Sequence, residues 1–291
     1  MKEKFQNPQT VIRWLFAGFT VICLLAAVLV SDRGGMLDGL VRICTQSGQT
    51  VKSYFDPSYG GFSGTFLNVA LVCAVCLGLY CLPGISTRYR DREASVQAVS
   101  DALAALARAK VGNYLAFFPS YAYLRQVWED FTARYPDIGT LVQESGLDDA
   151  GRAAFLERFS PCPEKTLLGF GVMGGIFGEG VDLAGDRLIG CAIVGVGLPQ
   201  VSPRQEMLRR YYDAQNGAGF DYAYRWPGMN KVLQAAGRVI RTQEDKGVVL
   251  LLDDRFAQSE YARLFPKHWR HLEYLRDTEE LKKKLEDFWA E

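Results

Sequence analysis

From Gly84 to Glu291, short uncharged apolar runs alternate with longer stretches of helical periodicity, and this alternation restricts the possible folds most strongly. Apolar residues at i, i+3 and i+4 are typical of one-sided helices, whereas short apolar runs are typical of buried strands. Strands that are separated by helices form a parallel sheet covered on both faces. Residues 84–291 are therefore predicted to form an α/β domain. The predicted strands are Tyr114–Phe118, Thr166–Met173, Leu188–Val196 and Val248–Leu252, and the predicted helices are Glu93–Ala109, Ala122–Arg134, Asp148–Phe159, Met207–Ala214, Gly228–Arg241 and Thr278–Ala290.

Residues 1–83 differ from the rest because charged side chains are sparse there. The run over 11–30 contains one charge, Arg13, and its length matches the roughly 20 residues that cross a bilayer. Residues 66–82 form a shorter uncharged run that ends before Pro83. Two membrane helices over 11–30 and 66–82 are therefore predicted, and a cleaved signal peptide is the alternative for the first run.

Basic residues flank both apolar runs, and the cytoplasmic flanks of membrane helices are enriched in Lys and Arg. Lys2 and Lys4 precede the first run, and Arg88 and Arg90 follow the second. This distribution predicts a membrane-anchored protein with residues 84–291 in the cytoplasm. If the N-terminal part is an artefactual join, the protein is expected to be cytoplasmic. The chain has 33 Lys plus Arg and 33 Asp plus Glu, and this balance excludes a polybasic nucleic-acid coat.

The predicted helix over Gly228–Arg241 carries the clearest candidate for chemistry. At 100° per residue, Gln234, Arg238 and Arg241 fall within about 60° of one another. Gly237 lies beside them and allows a ligand or another backbone to approach closely. Two guanidinium groups on one rigid face suit a polyphosphate, because each offers a planar fork of donors. The alternative is a solvated basic stripe, which the small apolar neighbours disfavour.

Two other segments imitate phosphate or metal motifs. Gly169–Gly174 has the G-x-G-x-x-G spacing, but further glycines follow where the dinucleotide motif needs a helix to begin. Asp253 and Asp254 end an apolar run, as a magnesium-binding carboxylate pair does. That role needs a phosphate loop, and no G-x-x-x-x-G-K-[ST] sequence occurs in the chain. The adjacent Arg255 instead favours a structural ion pair.

Several segments occur in the order that is found in one helicase family. Residues 113–121, Asn-Tyr-Leu-Ala-Phe-Phe-Pro-Ser-Tyr, resemble its fourth motif, and residues 172–183 resemble its fifth. Residues 234–241, Gln-Ala-Ala-Gly-Arg-Val-Ile-Arg, resemble the sixth motif of superfamily 2 helicases in its Q-x-x-G-R-x-x-R form. Together with 195–199 and 227–231, these segments make about 86–291 resemble the C-terminal part of the DinG/XPD-type DNA helicases. The resemblance implies a RecA-like parallel sheet with helices on both faces, the second motor domain of an enzyme that moves on single-stranded DNA using ATP.

The resemblance also implies roles for individual residues. Arg241 would be the arginine finger on the γ-phosphate of ATP, Arg238 would contact phosphate as well, and Gln234 would orient the site. The remaining implied nucleotide contacts are Glu179, Gly180, Asp182 and Gly237. The implied contacts to DNA phosphates are Ser120, Gly174 and Gly175, since hydroxyl and unhindered N–H groups bind phosphate without reading sequence. Three aromatic residues either stack on bases or pack in the core: Tyr222, Tyr224 and Trp226.

Helicases of this family also have a first motor domain with a phosphate loop, a D-E-A-H-type metal motif and often four cysteines for an iron–sulfur cluster. The chain shows none of these motifs. Binding of ATP with Mg²⁺ is therefore expected to need a separate first lobe, and neither an iron–sulfur cluster nor another metal site is expected in this chain. A natural fusion, a truncated gene and a join made during gene assembly each explain this arrangement. A membrane-anchored, non-catalytic interaction module is the alternative function, and residues 60–68 resemble part of a bacterial multi-pass membrane protein family of unknown function.

Overall fold

The structure, a computed structural model, describes residues 76–174, 183, 185–239 and 246–290. These residues belong to one compact unit, Val72–Glu291. The described residues form a seven-stranded sheet in the order β3–β4–β2–β5–β6–β1–β7, and all of its paired strands are parallel. The strands are β1 (Leu77–Cys81), β2 (Asn113–Phe118), β3 (Gly139–Val142), β4 (Leu167–Val172), β5 (Gly190–Val194), β6 (Gly247–Leu252) and β7 (Glu273–Tyr274).

Helices connect these strands and cover the sheet. They are α1 (Arg92–Ala109), α2 (Tyr121–Arg134), α3 (Asp149–Glu157), α4 (Pro203–Asn216), α5 (Trp226–Ala236), α6 (Ser259–Ala262) and α7 (Thr278–Ala290). A π-helical segment, Asp221–Arg225, leads directly into α5. Short 3₁₀ turns occur at Tyr89–Asp91, Gly185–Arg187, Asp254–Ala257 and Lys267–Trp269.

Side-chain alternation along the strands divides the core into two layers. In β2, Leu115 and Phe117 belong to one apolar layer, whereas Tyr114, Ala116 and Phe118 belong to the other. Every residue of β2 is buried. A strand that is covered on both sides needs apolar residues on both sides, which explains its nearly continuous apolar run.

Each layer is completed by a different set of helices. On one face, α1, α2 and α7 contribute Leu103, Leu124 and Leu281, and none of these three side chains is exposed. On the other face, α3 and α5 contribute Phe155 and Val232. The predicted α/β fold with helices on both faces of a parallel sheet is therefore confirmed.

Most of the predicted elements are also confirmed, with small shifts at their ends. Helix α7 has its predicted bounds, and Asp148 caps α3 by accepting a hydrogen bond from the Gly151 amide at 2.7 Å. The long helix predicted to reach Arg241 is wrong at its C-terminal end, because α5 ends at Ala236. The amides of Arg238 and Val239 then donate to carbonyls three residues earlier, which is the tighter geometry of a 3₁₀ turn.

Strand β1 corrects the prediction of a membrane helix over 66–82. Leu77–Cys81 lies between β6 and β7, and each of its residues is buried. A short apolar run fits a buried strand as well as part of a helix, because both exclude water. In the part of the chain that the structure describes, no helix is both long and apolar enough to cross a membrane. The helix predicted over 11–30 and residues 66–75 lie outside the described residues.

Candidate functional site

The carboxyl ends of the parallel strands meet at one edge of the sheet, where open α/β sheets bind their ligands. This carboxyl edge comprises the segments 82–88, 119–121, 143–144, 173–174, 195–199 and 253–255, which follow β1, β2, β3, β4, β5 and β6 respectively. Because β2 pairs with β4, the edge brings the end of the fourth motif next to the start of the fifth. Ser120 and Gly174 therefore lie at the same edge, as their predicted common role requires.

A buried ion pair joins the segments that follow β6 and β1. The unexposed carboxylate of Asp253 accepts hydrogen bonds from the Arg255 guanidinium at 2.7 and 2.8 Å and from the Thr87 hydroxyl. Burial alone would raise the pKa of the Asp253 carboxyl, but the bonds from Arg255 and Thr87 outweigh burial and hold this pKa below its ordinary value. The interpretation of Asp253 as part of a structural ion pair is confirmed.

Two further arginines surround this ion pair. Arg88 donates to the Asp254 carboxylate at 2.6 Å. Arg92, the first residue of α1, lies over the rings of Tyr89 and Tyr123, with its guanidinium carbon 5.6 and 5.3 Å from the ring centroids. Burial is the largest cause that lowers the pKa of Arg92. The carboxyl edge thus carries several guanidinium groups that the motif-based interpretation did not single out.

Ser120 occupies the N-cap of α2, where its Oγ accepts a hydrogen bond from the Tyr123 amide at 3.4 Å. This bond uses a lone pair of the hydroxyl oxygen, so the O–H can still donate to a ligand. The N-terminus of α2 also points its positive dipole end toward the carboxyl edge. Ser120 is therefore in a suitable environment for an anion.

Gln143 links the ends of β3, β4 and β2, although no sequence motif indicated it. Its Oε1 accepts a hydrogen bond from the Val172 amide at 2.8 Å, and its Nε2 donates to the Tyr121 hydroxyl at 2.8 Å. The side chain is buried. An uncharged buried residue between two apolar strands has no distinctive sequence signal, so only the structure reveals this contact.

Gly174 lies in the turn after β4 and has a φ of +71°, a conformation that favours glycine. A Cβ atom on Gly174 would be 2.9 Å from Cε of Lys231, which belongs to α5. Lys231 therefore lies beside the turn that follows β4. Gly197 approaches α5 closely as well, since its Cβ would be 2.9 Å from the carbonyl oxygen of Gly228. The close approach of the Gly197 and Gly228 backbones places the start of α5 at the carboxyl edge.

The residues of the sixth motif lie farther along α5. Gln234 and Gly237 are exposed, and Arg238 is half-buried, whereas Val232 and Ala236 are buried against the sheet. The predicted separation of polar and apolar faces is thus confirmed as far as Ala236. Because α5 runs back from the carboxyl edge toward the start of β6, the structure separates these residues from Ser120 and Gly174.

Five predicted site residues lie outside the described residues: Gly175, Glu179, Gly180, Asp182 and Arg241. The structure does not test the roles predicted for these five residues. The three aromatic residues at the start of α5 and in the π-helical segment before it are described. Tyr224 is buried and donates a hydrogen bond to Glu206 at 2.7 Å, which confirms core packing for this residue. Tyr222 stacks on Tyr212, with ring centroids 3.8 Å apart, and contacts Trp226.

The two carboxylates that follow β6 are engaged by arginines, Asp253 by Arg255 and Asp254 by Arg88, which disfavours a magnesium ion between them. Across residues 76–174, 183, 185–239 and 246–290, no three His, Cys, Asp or Glu side chains are placed to hold a metal ion. His271, one of a histidine pair near the C-terminus, contacts the Leu77 carbonyl oxygen through Nε2 at 3.0 Å.

The parallel sheet and its two helical layers define a RecA-like domain. The solved structure XPD_APO has a similar fold, with a TM-score of 0.57 and 19% identity over 69% of this chain and 40% of that chain. Residues 103–272 match the family described as the helicase C-terminal domain. This match spans more than half of the chain, and the protein therefore belongs to the helicase C-terminal domain family.

Two relatives show how much of a larger helicase this chain resembles. It is 29% identical over 197 residues to regulator of telomere elongation helicase 1 of Bos taurus, a match that covers 60% of this chain and 16% of the relative. It is 34% identical over 106 residues to the ATP-dependent DNA helicase DinG of Photobacterium profundum, which covers 34% of this chain and 15% of the relative. The chain thus spans about a sixth of the length of these relatives.

Proposed function

We propose that this protein acts as the second RecA-like motor lobe of an ATP-dependent DNA helicase. Family membership over residues 103–272 carries the proposal. The arrangement of the motifs supports it, because Ser120 and Gly174 lie at the carboxyl edge while Gln234 and Arg238 lie near the far end of α5. A motor lobe needs two such places, one for the strand and one for the nucleotide.

Single-stranded DNA is proposed to bind at the carboxyl edge. Ser120 offers a hydroxyl proton, the N-terminus of α2 offers a positive dipole end, and Lys231 adds an ammonium group near Gly174. Gly174 and Gly175 have no side chain that would keep a phosphate from their backbone. Contacts of this kind bind phosphate without reading base sequence, and the proposal therefore includes strands of any sequence.

ATP with Mg²⁺ is proposed to bind between the far end of α5 and a first lobe. Arg241 and Arg238 would contact the transferring phosphate and Gln234 would orient the site. The other proposed contacts are Glu179, Gly180, Asp182 and Gly237. Mg²⁺ neutralises the phosphate charge during transfer. Because Asp253 and Asp254 are already paired with arginines, the carboxylates that hold the metal are assigned to the first lobe.

The proposal is tested with the purified 291-residue chain, alone and mixed with a first lobe from a DinG-type helicase. Alone, the chain should bind a labelled oligothymidine in a salt-sensitive way and should not hydrolyse ATP. Adding the first lobe should produce DNA-stimulated hydrolysis. Turnover of about 1 per second or more by the chain alone would contradict the need for a first lobe. Absence of oligothymidine binding at low salt would contradict the DNA site.

We also propose that residues 11–30 anchor the protein in a membrane. The length of this nearly uncharged run supports the proposal. Because β1 removes the second predicted span, the basic residues Lys2 and Lys4 before the single remaining run no longer predict a cytoplasmic helicase domain. Alkaline carbonate should leave the protein in the membrane fraction. Release of the intact chain by carbonate would contradict the anchor.

A further inference from the structure

One hydroxyl group at the proposed DNA site has its orientation determined by a buried neighbour. Gln143, the first residue after β3, is 2% exposed. Its backbone amide donates to the Phe170 carbonyl at 2.8 Å and so continues the ladder between β3 and β4. Its side chain reaches along β4 and meets the Val172 amide at 2.8 Å. The Gln143 amide group therefore lies in one fixed place.

The polarity of that amide group follows from its two partners. A backbone N–H can only donate, so the Gln143 atom that faces Val172 is the oxygen, Oε1. The other end, Nε2, faces the Tyr121 hydroxyl oxygen at 2.8 Å. An NH₂ group can only donate, so the Tyr121 oxygen accepts and its own proton is directed away from Gln143. Tyr121 is thereby held as a donor toward a third group.

The surroundings of Tyr121 indicate what that third group is. Tyr121 is half-buried and follows Ser120 at the start of α2. Helix α2 packs on one face of the sheet and α5 on the other. Through Gln143, the Tyr121 hydroxyl is linked to the Val172 amide at the end of β4, and Lys231 lies beside Gly174, two residues further along. A hydroxyl donor and an ammonium group at the same edge of the sheet suit an anionic oxygen.

We propose that the Tyr121 hydroxyl donates a hydrogen bond to a backbone phosphate of the bound DNA strand, and that Gln143 is the positioning residue that aims this hydroxyl. The inference rests on the proposed function, because the phosphate is that of single-stranded DNA at the carboxyl edge. Gln143 touches no ligand itself. Gln143 prevents the hydroxyl from turning inward. The hydroxyl therefore loses no rotational freedom when the strand binds.

The sharpest variant is Gln143→Glu, which keeps the shape of the side chain but reverses the hydrogen bond to Tyr121. One carboxylate oxygen accepts from the Val172 amide as before, and the other now accepts the proton of the Tyr121 hydroxyl. Both internal hydrogen bonds persist, whereas the outward donor is lost. Tyr121→Phe removes the same donor directly. Tyr135→Phe, just past the other end of α2, is the matched control.

Binding of a labelled oligothymidine to the full chain is the measurement, and each variant is also unfolded in urea. Tyr121→Phe should raise the Kd by about ten-fold, the effect of one hydrogen bond to a charged group. Gln143→Glu should raise the Kd by a similar factor, and Tyr135→Phe should leave it unchanged. When Gln143→Glu is added to Tyr121→Phe, it should weaken binding little further, since both changes remove the same donor.

Salt dependence separates this role from simple charge repulsion. A neutral hydroxyl releases no counterion, so Tyr121→Phe should leave the slope of log Kd against log salt unchanged. If Gln143→Glu acted by repelling the strand, its effect would be fully retained in the Tyr121→Phe background and would shrink at high salt. That result would overturn the positioning role.

The remaining outcomes also decide the inference. If the wild-type chain binds oligothymidine and Tyr121→Phe binds equally well, the inference is wrong while the proposed function stands. If the wild-type chain binds no oligothymidine, the proposed function fails and the inference fails with it. Should Gln143→Glu not fold, the comparison of Tyr121→Phe with Tyr135→Phe still decides whether the hydroxyl donates to the strand.

Discussion

At the scale of single residues, the carboxyl edge depends on groups that have little freedom to move. The Asp253 carboxylate has its oxygens occupied by Arg255 and Thr87, and the Gln143 amide is held at both ends. Buried polar groups of this kind are stable only when every partner is present, because an unpaired one loses its hydration without compensation. These residues therefore connect strand ends that are distant in sequence.

The buried carboxylate makes stability depend on pH in a defined direction. The pKa of Asp253 is lower in the folded protein than the value of about 3.9 expected in the unfolded chain. Its contribution is therefore present above about pH 4 and is lost as the pH falls through the folded-state pKa. In Asp253→Asn, the free energy of unfolding should fall less steeply than in the wild type as the pH drops below about 4. Urea unfolding at a series of pH values measures this dependence. Asp287→Asn, at an exposed position of α7, should keep the wild-type dependence, and an equal dependence in both variants would contradict this account.

The ion pair can also be broken from its other side. Arg255→Ala leaves the Asp253 carboxylate buried without its guanidinium partner, which is expected to cost about 3–5 kcal/mol. Urea unfolding at neutral pH measures this loss. Arg210→Ala, at an exposed position of α4, should change stability little, and a loss of similar size there would show that the measurement does not report the buried pair.

Glycine at position 174 is expected to be favoured by its left-handed backbone conformation. Gly174→Ala places a side chain at positive φ and also places its Cβ against Lys231. Gly217→Ala is the matched control, because Gly217 has a φ of +70° and no atom within 4 Å of its Cβ position. Each should lose about 1–2 kcal/mol for the left-handed backbone. The contact with Lys231 should add little at Gly174, because the end of the lysine side chain can move away. Urea unfolding of Gly174→Ala and Gly217→Ala measures both losses, and a much larger loss for Gly174→Ala would contradict this account.

At the scale of elements, β1 matters most for the topology of the sheet and α5 for the placement of the two proposed sites. Strand β1 lies between β6 and β7, and α7 covers it with Leu285 and Phe288. Helix α5 begins at the carboxyl edge beside Gly197 and runs back toward the start of β6. It therefore spans the distance between the proposed strand site and the proposed nucleotide site.

Strand β1 allows a direct test of the corrected topology. A chain that begins at Val72 retains β1, whereas a chain that begins at Gly84 leaves β6 unpaired on one side and uncovers α7. The longer chain should unfold cooperatively in urea, and the shorter chain should not fold. Within the longer chain, Leu79→Ala should cost about 2–5 kcal/mol, because this side chain is 1% exposed. Equal stability of the two chains would show that β1 is dispensable.

At the scale of the whole molecule, the domain is proposed to have two ligand-facing regions and to contribute only part of the nucleotide site. The far end of α5 presents Gln234 and Arg238, and at the carboxyl edge Asp253 and Asp254 are both paired with arginines. Motors of this type close two lobes over the nucleotide, so that arginines of one lobe reach a phosphate held by the other. Function is therefore expected only when the domain is paired with a first lobe.

Arg241 can be tested only in such a pair. With a first lobe present, Arg241→Ala should lower ATP turnover by about 10³-fold or more, the effect of an arginine finger. Arg241→Lys should restore little, because an ammonium group lacks the planar fork of donors. Oligothymidine binding should persist, since the proposed strand contacts lie at the carboxyl edge. The exposed Arg210 serves as the control, and equal turnover for Arg210→Ala and Arg241→Ala would remove Arg241 from the nucleotide site.

Local pattern was sufficient to predict most elements of this fold. The period of apolar residues predicted α1, α2 and α7 almost to the residue, and the apolar runs of β2, β4 and β6 were equally clear. Strands β3 and β7 were missed because they are short and partly exposed at the margins of the sheet. Strand β1 was assigned to a membrane helix, because burial in a sheet and burial in a bilayer select the same apolar residues.

By itself, the sequence determined the α/β class, the helicase family and the polar face of α5, because each depends on residues that are close together along the chain. Only the tertiary structure decided which strand ends are neighbours. It paired β2 with β4, which brought Ser120 and Gly174 to the same edge of the sheet, and it placed Gln143 against Tyr121. The reason is physical: a hydrogen bond between distant segments leaves no period or spacing in the sequence, and its partners meet only when the sheet brings them together.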